Sequence, residues 1–434
     1  MKKWISIFFV LLLFVVNCKN KPKENITLYG ATSENLFSES LIVDNIDENT
    51  VLKFSDIFDS ISFIRLETNE TALIGSVEKI IAVNDKFIIL DGIIAKKVLV
   101  FHEDGRFLNQ IGSKGAGPEE YDAPNDITYD KYNDELLIYV NNHKKIMRFK
   151  LDGTFIGNIK LDFWTSVVFV IDENKYGLYV NYHNNSQYKG YNLIVIDRDG
   201  KVLNLLMPFD IDSKNISGVD INAFTNYQDK ILFSPYYDNK IYEFSIDSII
   251  PKYYWNFDNH IIPEELYNNV TSKELRKMID DNGEYMYCSI SSEISSHVIG
   301  KVIYKRKIFD CYYSKESKKY NAAAVFINDM FGLVSSSSFM CTKGDLLIST
   351  VSPEQFVTMQ ELIQGMKNEK KDIKKIWLSQ LNSPTAAIFK PSLKKNLKHA
   401  IESVNFTLAD DEIDFINSID ETDNPIIRVA RLKK

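Results

Sequence analysis

A strand-turn-strand phrase recurs along this chain with a nearly constant period, and that period restricts the possible folds more than any other feature. Each copy is an apolar run that ends in an Asp-Gly turn, which is typical of a tight β-hairpin. The turn aspartates are Asp104, Asp152, Asp199 and Asp247, at steps of 48, 47 and 48 residues, and Ser248 replaces the glycine in the fourth copy. A period of about 40 to 50 residues built from short strands is typical of propeller blades.

Each repeat predicts four strands, here called a to d, with the Asp-Gly turn joining c to d. The four regular units cover about residues 77–257, and two less regular units follow them. Unit five is predicted to contain strands at Tyr285–Ile290, Val298–Tyr304, Lys307–Tyr313 and Ala322–Ile327, and unit six to begin with Ser335–Cys341 and Asp345–Thr350.

The two ends of the chain are predicted to meet in the last blade. A closed ring removes the exposed sheet edges that an open stack of units would present. Ile61–Leu66 and Ile426–Leu432 both alternate like strands, so together they could complete blade six. The predicted fold class is therefore all-β: a six-bladed β-propeller of four-stranded antiparallel blades, with a helical insertion in the last blade.

The segment from Pro353 to about Asp423 departs from the β pattern. Within 355–381, apolar residues recur at helical spacing among Glu, Lys and Gln, which indicates an amphipathic helix. We expect this helix to pack against its own propeller, and pairing with a partner helix is the alternative. The apolar positions are Phe356, Met359, Leu362, Ile363, Met366, Ile373, Ile376 and Trp377.

The start of the chain has the pattern of an export signal. Lys2 and Lys3 precede an apolar run from Ile5 to Val16 that is too short to span a bilayer as a helix. Cys18 follows this run as in a bacterial lipobox, which predicts lipidation of Cys18; an ordinary signal peptide cut elsewhere is the alternative. The predicted organisation is a lipoprotein signal peptide at 1–17, a tether and N-terminal extension at 18–50, and the propeller at 51–434 with its helical insertion at about 354–422.

Composition and charge exclude several classes of protein. A hydrophobic content of 45% is too high for a disordered chain. The net charge of −8 lacks the positive excess that drives phosphate-backbone binding, so nucleic acid is not an expected partner. Beyond Cys18, the cysteines are Cys288, Cys311 and Cys341, which have no metal-binding spacing and allow at most one disulfide.

A loop in the first repeat unit connects this sequence to a known family. Ile111–Tyr121 reads IGSKGAGPEEY and resembles the glycine-rich loop of NHL-type propellers. The chain as a whole resembles the six-bladed β-propeller lipoproteins of Bacteroidetes, a family largely of unknown function. This resemblance implies the same fold and an envelope location, and it implies no ligand. It also rests on Ile64–Thr68, Leu73–Gly75, Asn328-Asp329 and Asn424-Pro425.

Propeller geometry sorts the candidate site residues. The d-to-a and b-to-c connections lie on one face, around the mouth of the central channel, where propellers usually bind ligands. These connections are predicted to gather ten residues on that face. The d-to-a connections contribute Gly115, Gly117, Pro118, Tyr121, Asn328 and Asp329, and the b-to-c turns contribute Asp91, His143, His183 and Asp238.

Each of these residues also has a structural interpretation. The glycines and Pro118 can form a tight loop, the aspartates can bind turn backbone, and the histidines can be exposed turn residues. His143 and His183, with Asp91, could instead hold a divalent metal, as in NHL-type amidating lyases. No third histidine occupies the corresponding place in another blade, and zinc usually takes three protein ligands. We therefore expect no cofactor, with a divalent metal as the alternative.

The sequence contains no G-x-S-x-G, HExxH or Walker motif, so it predicts no catalytic residue. The leading functional prediction is a lipid-anchored binding module of the cell envelope that recognises a glycan, a peptide or a partner protein. The alternatives are a metal-dependent lyase or hydrolase with an axial ion, and a structural subunit docked through 355–381. We expect the anchor to lie in the outer membrane, with the periplasmic side favoured over the cell surface.

Overall fold

The fold was analysed in a computed structural model of the chain. Cys18 and the predicted signal and tether up to residue 37 lie outside the described residues. The structure describes residues 38–182, 187–209, 220–235, 238–244, 249–263, 266, 270–331, 333–335, 339–369, 374, 377–378, 381, 390–404 and 408–433.

The described chain consists mainly of short strands joined by polar turns. In its first half the only α-helix among the described residues is α1 (Phe54–Ile57), and Asn141–His143 forms a 3₁₀ turn. The strands of this half are β1 (Glu39–Ile42), β2 (Val51–Lys53), β3 (Phe58–Ile64), β4 (Lys79–Val83), β5 (Lys86–Asp91), β6 (Lys97–His102), β7 (Phe107–Gln110), β8 (Ser113–Lys114), β9 (Glu120–Tyr121), β10 (Asp126–Asp130), β11 (Glu135–Val140), β12 (Lys145–Phe149), β13 (Phe155–Lys160), β14 (Val167–Asp172), β15 (Lys175–Tyr179), β16 (Tyr191–Asp197) and β17 (Val202–Pro208).

The second half continues the strand pattern and adds helices. These are α2 (Ser272–Asn282), α3 (Pro353–Glu369), α4 (Pro391–Ser403) and α5 (Asp410–Asn417), and Asp258–His260 is a 3₁₀ turn. The strands are β18 (Phe224–Tyr227), β19 (Lys230–Phe233), β20 (Lys240–Phe244), β21 (Ile249–Asn256), β22 (Met286–Glu293), β23 (His297–Tyr304), β24 (Lys307–Ser314), β25 (Tyr320–Ala323), β26 (Val325–Asn328), β27 (Leu333–Ser335), β28 (Cys341–Lys343), β29 (Leu346–Val351) and β30 (Ile426–Leu432).

Six sheets of four antiparallel strands form a ring, which confirms the predicted fold class. First strands of neighbouring blades contact each other, for example β4 with β10 and β10 with β14, so they surround the central axis. The fourth strand of each blade lies outside. Blades one to six are β4–β7, β10–β13, β14–β17, β18–β21, β22–β25 and the set β28, β29, β30 and β3.

Blade six contains strands from both ends of the described chain. β30 pairs with β29 on one side and with β3 on the other, with Val429 opposite Ile348 and Ala430 opposite Ile61. The prediction that the two terminal strands complete this blade is confirmed. Because β28 also contacts β4 of blade one, the ring is closed.

Each pair of neighbouring blades shares one hydrophobic core. In β5, Ile88 and Leu90 face the core between blades one and two, whereas Phe87 and Ile89 face the core between blades six and one. Successive strand residues point to opposite faces of a sheet, so a strand buried on both faces must be apolar at every position. This explains why the second strands appear as uninterrupted apolar runs in the sequence.

The segment before the ring forms two further strands. β1 lies parallel to β21, with Glu39 opposite Tyr253 and Ile42 opposite Asn256, and extends blade four to five strands. β2 lies parallel to β26 in a small separate sheet. The sequence assigned no strand to this extension, because each pairing joins residues more than 200 positions apart.

The prediction of one continuous strand at Ala322–Ile327 is wrong. Tyr320–Ala323 pairs with β24 as the outer strand of blade five, and Val325–Asn328 then enters the small sheet between β2 and β27. The sequence has no Gly or Pro at this change of sheet, so it gave no signal for the break.

The first strand of blade six is also shifted from its predicted place. The prediction was Ser335–Cys341, whereas Ser335 ends β27 of the small sheet and the blade strand begins at Cys341. Cys341 pairs with Ile348 of β29. The two short strands belong to different sheets, and their combined apolar pattern cannot be separated from sequence spacing.

Helices α3, α4 and α5 lie between β29 and β30. They pack together with the small sheet around one hydrophobic core that includes Phe331 and Ile401. The predicted helix at 355–381 is observed as Pro353–Glu369. Five of its predicted apolar positions are buried in this core: Phe356, Met359, Leu362, Ile363 and Trp377. Ile373, Ile376 and the side chain of Met366 lie outside the described part of the chain.

Ionic contacts join neighbouring blades at the face formed by the a-to-b and c-to-d turns, which we call the lower face. Glu135 of blade two accepts a hydrogen bond from Arg148 Nε at 2.9 Å and one from Arg198 Nη2 of blade three at 2.9 Å. Burial raises the pKa of the Glu135 carboxyl, but the two guanidinium groups outweigh it, so the pKa lies below its ordinary value.

We expect Glu135→Gln to reduce the stability of the fold at pH 7 by about 2 kcal/mol, because two partly buried guanidinium groups lose their anion. The folded-state pKa is lower than the unfolded one, so the carboxylate stabilises the fold above about pH 4.3 and this contribution is lost as the pH falls. The urea midpoint of the wild type should therefore fall between pH 7 and pH 4 by more than the urea midpoint of the variant does.

The matched control is Glu173→Gln, which changes an exposed carboxylate at the same face. Its urea midpoints should follow those of the wild type at both pH values. Equal midpoints for Glu135→Gln and the wild type at pH 7 would contradict the assigned role.

Candidate functional site

The face opposite to the lower face, called the upper face, carries the predicted site residues. Asp91 is fully buried there and its carboxylate is saturated by hydrogen bonds. Oδ2 accepts from the backbone of Gly75 at 2.6 Å, and Oδ1 accepts from Ser76 Oγ at 2.9 Å and from the backbone of Ile94 and Ala95. Asp91 therefore fixes the b-to-c turn of blade one to the segment that enters this blade.

The glycine-rich loop is organised around one of its own carboxylates. Glu120 Oε2 accepts a hydrogen bond from the backbone N–H of Gly117 at 2.7 Å. A Cβ atom on Gly115 would lie 2.0 Å from the same oxygen, so a larger residue at this position would require the Glu120 side chain to move. Tyr121 is buried and donates from its hydroxyl to the carbonyl of Ile111 at 2.8 Å. These contacts give the loop a structural role.

His143 and Pro118 are the exposed members of the predicted set among the residues that the structure describes. Nε2 of His143 lies 3.7 Å from Oδ1 of Asp122, and the histidine side chain is 52% exposed. The carbonyl of Pro118 accepts a hydrogen bond from Asn158 at 3.2 Å, which attaches the loop to blade two.

Asn328 and Asp329 connect the start of the propeller to the last two blades. Asp329 accepts hydrogen bonds from the backbone and the hydroxyl of Ser55 in α1, the former at 2.8 Å. Asn328 is buried and its side-chain oxygen accepts from Met330 N–H at 3.3 Å. Both residues therefore position a connection of the chain.

Asp238 lies in the b-to-c turn of blade four, where it accepts a hydrogen bond from the backbone of Lys240 at 3.2 Å. His183 lies outside the described residues. Among the residues that are described, no three His, Cys, Asp or Glu side chains group together as metal ligands would. The metal-site alternative depends on His183 and stays a prediction.

The three described cysteines are free thiols, and Cys288 and Cys311 are buried. Those two residues lie on β22 and β24, which flank β23. Two strand spacings amount to about 9.6 Å, more than a disulfide can bridge.

A cavity of about 290 Å³ lies on the axis of the ring. The first strands of blades one to four and six form its wall, and none of the predicted site residues within the described chain lines it. Within the described residues, this cavity is a place where the fold can enclose a ligand. We call it the axial cavity.

The upper end of the axial cavity is closed by a connection that crosses the axis. Asn222 precedes the first strand of blade four, and its Nδ2 donates to the carbonyl of Glu78, which precedes the first strand of blade one, at 3.4 Å. Ile221 packs into the core between blades one and two. Because blades one and four are opposite in a six-membered ring, this connection covers the upper mouth.

A buried ion pair reinforces the closed end. Nζ of Lys79 in blade one lies 2.8 Å from Oδ1 of Asp126 in blade two, and Oδ2 of Asp126 accepts from the backbone of Val168 in blade three at 2.9 Å. Burial raises the pKa of Asp126, and the Lys79 ammonium opposes this effect. One carboxylate thus joins three consecutive blades at the axis.

The lower end of the axial cavity opens between the a-to-b turns. Lys131 of blade two and Asp229 of blade four form an ion pair of 2.7 Å that passes over blade three at this mouth. Tyr132 also lines it and is 48% exposed. Tyr129 donates to Asp134 at 2.6 Å, and burial together with this bond raises the pKa of its hydroxyl to about 12.

The inner wall is largely apolar. Phe169 and Phe224 stack with ring centroids 4.1 Å apart, and aliphatic side chains such as Ile81, Val170 and Ile231 also line the wall. The cavity therefore has a wall that is apolar in part, a closed upper end and a polar, partly aromatic mouth. Such a site can hold a ligand by burying its apolar part and hydrogen bonding its polar end.

The sequence reasoning did not identify this site. It assigned ligand binding to the upper face and left the a-to-b turns without a role. The turns Tyr129–Tyr132 and Asn226–Asp229 each contain a charged residue close to a tyrosine, which was the available signal. That these two turns meet at the lower mouth, on either side of blade three, depends on the closed ring.

A model of a family described as a domain of unknown function (DUF4934) matches residues 40–383. The chain belongs to this family. Among curated proteins, none matches the sequence.

Solved structures support the fold. One of them is a Bacteroides fragilis NCTC 9343 protein that is described as a candidate exported protein. It superposes with a TM-score of 0.66 at 16% identity, over 91% of this chain and 100% of that chain. A member of the DUF4221 family from Bacteroides vulgatus ATCC 8482 has a TM-score of 0.43 at 11% identity, over 66% of this chain and 94% of that one. The first likeness shows a shared fold. Within the described residues, no helix is long and apolar enough to cross a membrane.

We expect Lys79→Met to destabilise the fold by about 3 to 5 kcal/mol, because it leaves the buried Asp126 carboxylate without its cation. Adding Asp126→Asn should recover part of the loss, since a neutral amide can still accept a backbone hydrogen bond. Urea unfolding followed by tryptophan fluorescence gives the midpoints.

Lys230→Met provides the comparison, because it breaks an exposed pair with Glu243 and should change stability by less than about 1 kcal/mol. If Lys79→Met lowered the stability of the fold no more than Lys230→Met does, the Lys79–Asp126 ion pair would have no stabilising role.

Proposed function

We propose that this member of the DUF4934 family is a binding module of the cell envelope and that its ligand occupies the axial cavity. The observation that carries this proposal is the shape of the cavity, which is closed by Asn222 at the upper end and open through a polar mouth at the lower end. A pocket with one entrance and mostly apolar walls is the usual form of a small-molecule site. The ligand is then a glycan, a peptide or a terminal part of a partner protein, and binding requires no cofactor.

The upper face is a weaker candidate for binding. Asp91, Glu120 and Asp329 each hold neighbouring segments of the chain through hydrogen bonds. A ligand would have to replace these bonds, and an unsatisfied buried polar group costs about 1 to 3 kcal/mol. The polar groups at the lower mouth are exposed and can change partners at lower cost.

The envelope part of the proposal rests on the sequence of the first 18 residues. A positive start, an apolar run and Cys18 are typical of a lipoprotein signal, and the similar Bacteroides fragilis protein is described as a candidate for export. We place the anchor in the outer membrane, on the periplasmic side.

Asn226→Trp tests the site directly. Asn226 is exposed and lines the axial cavity, so an indole at this position should fill the cavity without disturbing the core. A thermal-shift screen of saccharides, amino acids and short peptides should give at least one ligand that stabilises the wild type. Its affinity should fall at least tenfold in the variant.

The matched control is Asn321→Trp, which places the same side chain at an exposed position on the outer strand of blade five. This variant should bind the ligand as the wild type does. A ligand that binds Asn226→Trp with full affinity would place binding elsewhere and contradict the proposal.

Cys18→Ser should release the protein from the membrane fraction, because a triacylated N-terminus supplies the chains that hold it on a bilayer. Fractionation of cells that express the full chain, with metabolic labelling by a fatty acid, measures both effects. A Cys18→Ser protein that stayed in the membrane fraction would show that another element anchors it.

A further inference from the structure

We infer that the ligand of the axial cavity is a short zwitterionic peptide with an apolar side chain, which enters through the lower mouth. This inference rests on the proposed function and names the ligand class of that site. Three features carry it: a cation and an anion at one mouth, an apolar interior, and a closed upper end.

The lower mouth carries one positive and one negative side chain. Lys131 and Asp229 lie in the a-to-b turns of blades two and four and face each other across the mouth, with side chains 48% and 93% exposed. A hydrogen bond from Lys131 lowers the pKa of Asp229, so the pair is fully charged at neutral pH. An exposed pair of this kind contributes little to stability, so a ligand with both charges can replace it.

The charge pattern restricts the ligand class. A free peptide carries an ammonium group that matches Asp229 and a carboxylate that matches Lys131. A neutral saccharide offers neither charge, and a fatty acid offers only the anion. A ligand that separates the pair without supplying both charges leaves one side chain without its partner. The mouth therefore favours a zwitterion.

The interior selects an apolar side chain. Above the mouth, the wall contains Ile81, Val170, Phe224 and Ile231. Burial of a Val, Leu, Ile, Phe or Met side chain in such surroundings favours binding. The hydroxyl and amide groups of the strands at the mouth can bond to a peptide unit.

The size and the closed end restrict the length. The cavity volume of about 290 Å³ is near the lower end of the range of about 300 to 1,000 Å³ that small-molecule sites occupy, so the ligand is small. Asn222 and the Lys79–Asp126 pair close the upper end, so a long chain cannot thread through the ring. A di- or tripeptide fits this space, whereas a folded domain does not.

Titration calorimetry with the full chain tests the inference. The probes are the dipeptide Leu-Ala, its N-acetyl form, its C-terminal amide, the form with both ends blocked, maltose and octanoate. Free Leu-Ala should bind with a Kd of about 1 mM or lower. Blocking both ends of the dipeptide should weaken binding at least tenfold. Because Asp229 is matched to the ammonium group, Asp229→Asn should bind the N-acetyl form about as well as it binds free Leu-Ala. Because Lys131 is matched to the carboxylate, Lys131→Met should bind the C-terminal amide about as well as it binds free Leu-Ala.

Lys318→Met is the matched control, because it breaks an exposed pair with Glu39 that lies 2.5 Å apart on the outer edge of the ring. It should leave the Leu-Ala affinity unchanged. Circular dichroism of the exposed-site variants Lys131→Met and Asp229→Asn verifies that they remain folded.

The outcomes separate this inference from the proposed function. Equal affinities for free and fully blocked Leu-Ala, or no binding of Leu-Ala at about 10 mM, would overturn the peptide inference. If maltose or octanoate bound instead and Asn226→Trp abolished that binding, the cavity would still be the binding site and only the ligand class would be wrong. Leu-Ala binding that Asn226→Trp left unchanged would contradict both.

Discussion

The structure depends on the burial of both faces of every blade. A single four-stranded blade would expose two apolar faces, as Phe87 and Ile89 on one side of β5 and Ile88 and Leu90 on the other show. Each blade is therefore stable only between two neighbours. The last blade meets this requirement by pairing β3 from the start of the ring with β30 from the end of the chain. The closed ring is the smallest unit that can bury all of these faces, and it creates the axis on which the cavity lies.

Polar contacts complement this apolar burial at the two ends of the ring. Glu135 bonds across blades two and three at the lower face, and Glu293 accepts from Lys252 of blade four at 2.7 Å and from Lys315 at 2.6 Å. Asp126 joins three blades near the upper end. In each case a carboxylate is satisfied by groups from neighbouring blades, so these contacts specify how one blade sits against the next.

The fold was largely predictable from the sequence because its information is local and repeated. A period of 47 to 48 residues, Asp-Gly turns and apolar runs follow from the geometry of one blade, and each copy supports the others. The errors occurred where partners are distant. The parallel pairing of Glu39–Ile42 with blade four, and the change of sheet between Ala323 and Val325, depend on residues that have no local relation in sequence.

The candidate site was harder to predict for the same reason. The ten residues chosen from the sequence were those in loops that propellers often use for binding, and several of them hold the chain in place: Asp91 alone accepts bonds from Gly75, Ser76, Ile94 and Ala95. The axial cavity depends on contacts across the ring, namely Asn222 with Glu78 and Lys131 with Asp229. The sequence does not indicate that these residues meet, because each contact joins blades that are not adjacent.

The contacts at the two ends of the axial cavity differ in their physical character. This difference indicates which end can admit a ligand. At the upper end, a packed connection and a buried ion pair close the channel, and opening it would expose apolar surface and an unpaired charge. At the lower end, one exposed ion pair crosses the mouth, and water can replace it at little cost. Since exchange of a ligand requires an entrance that opens and closes readily, the lower mouth is the end that suits binding, and the upper end provides the rigid base against which a ligand is held.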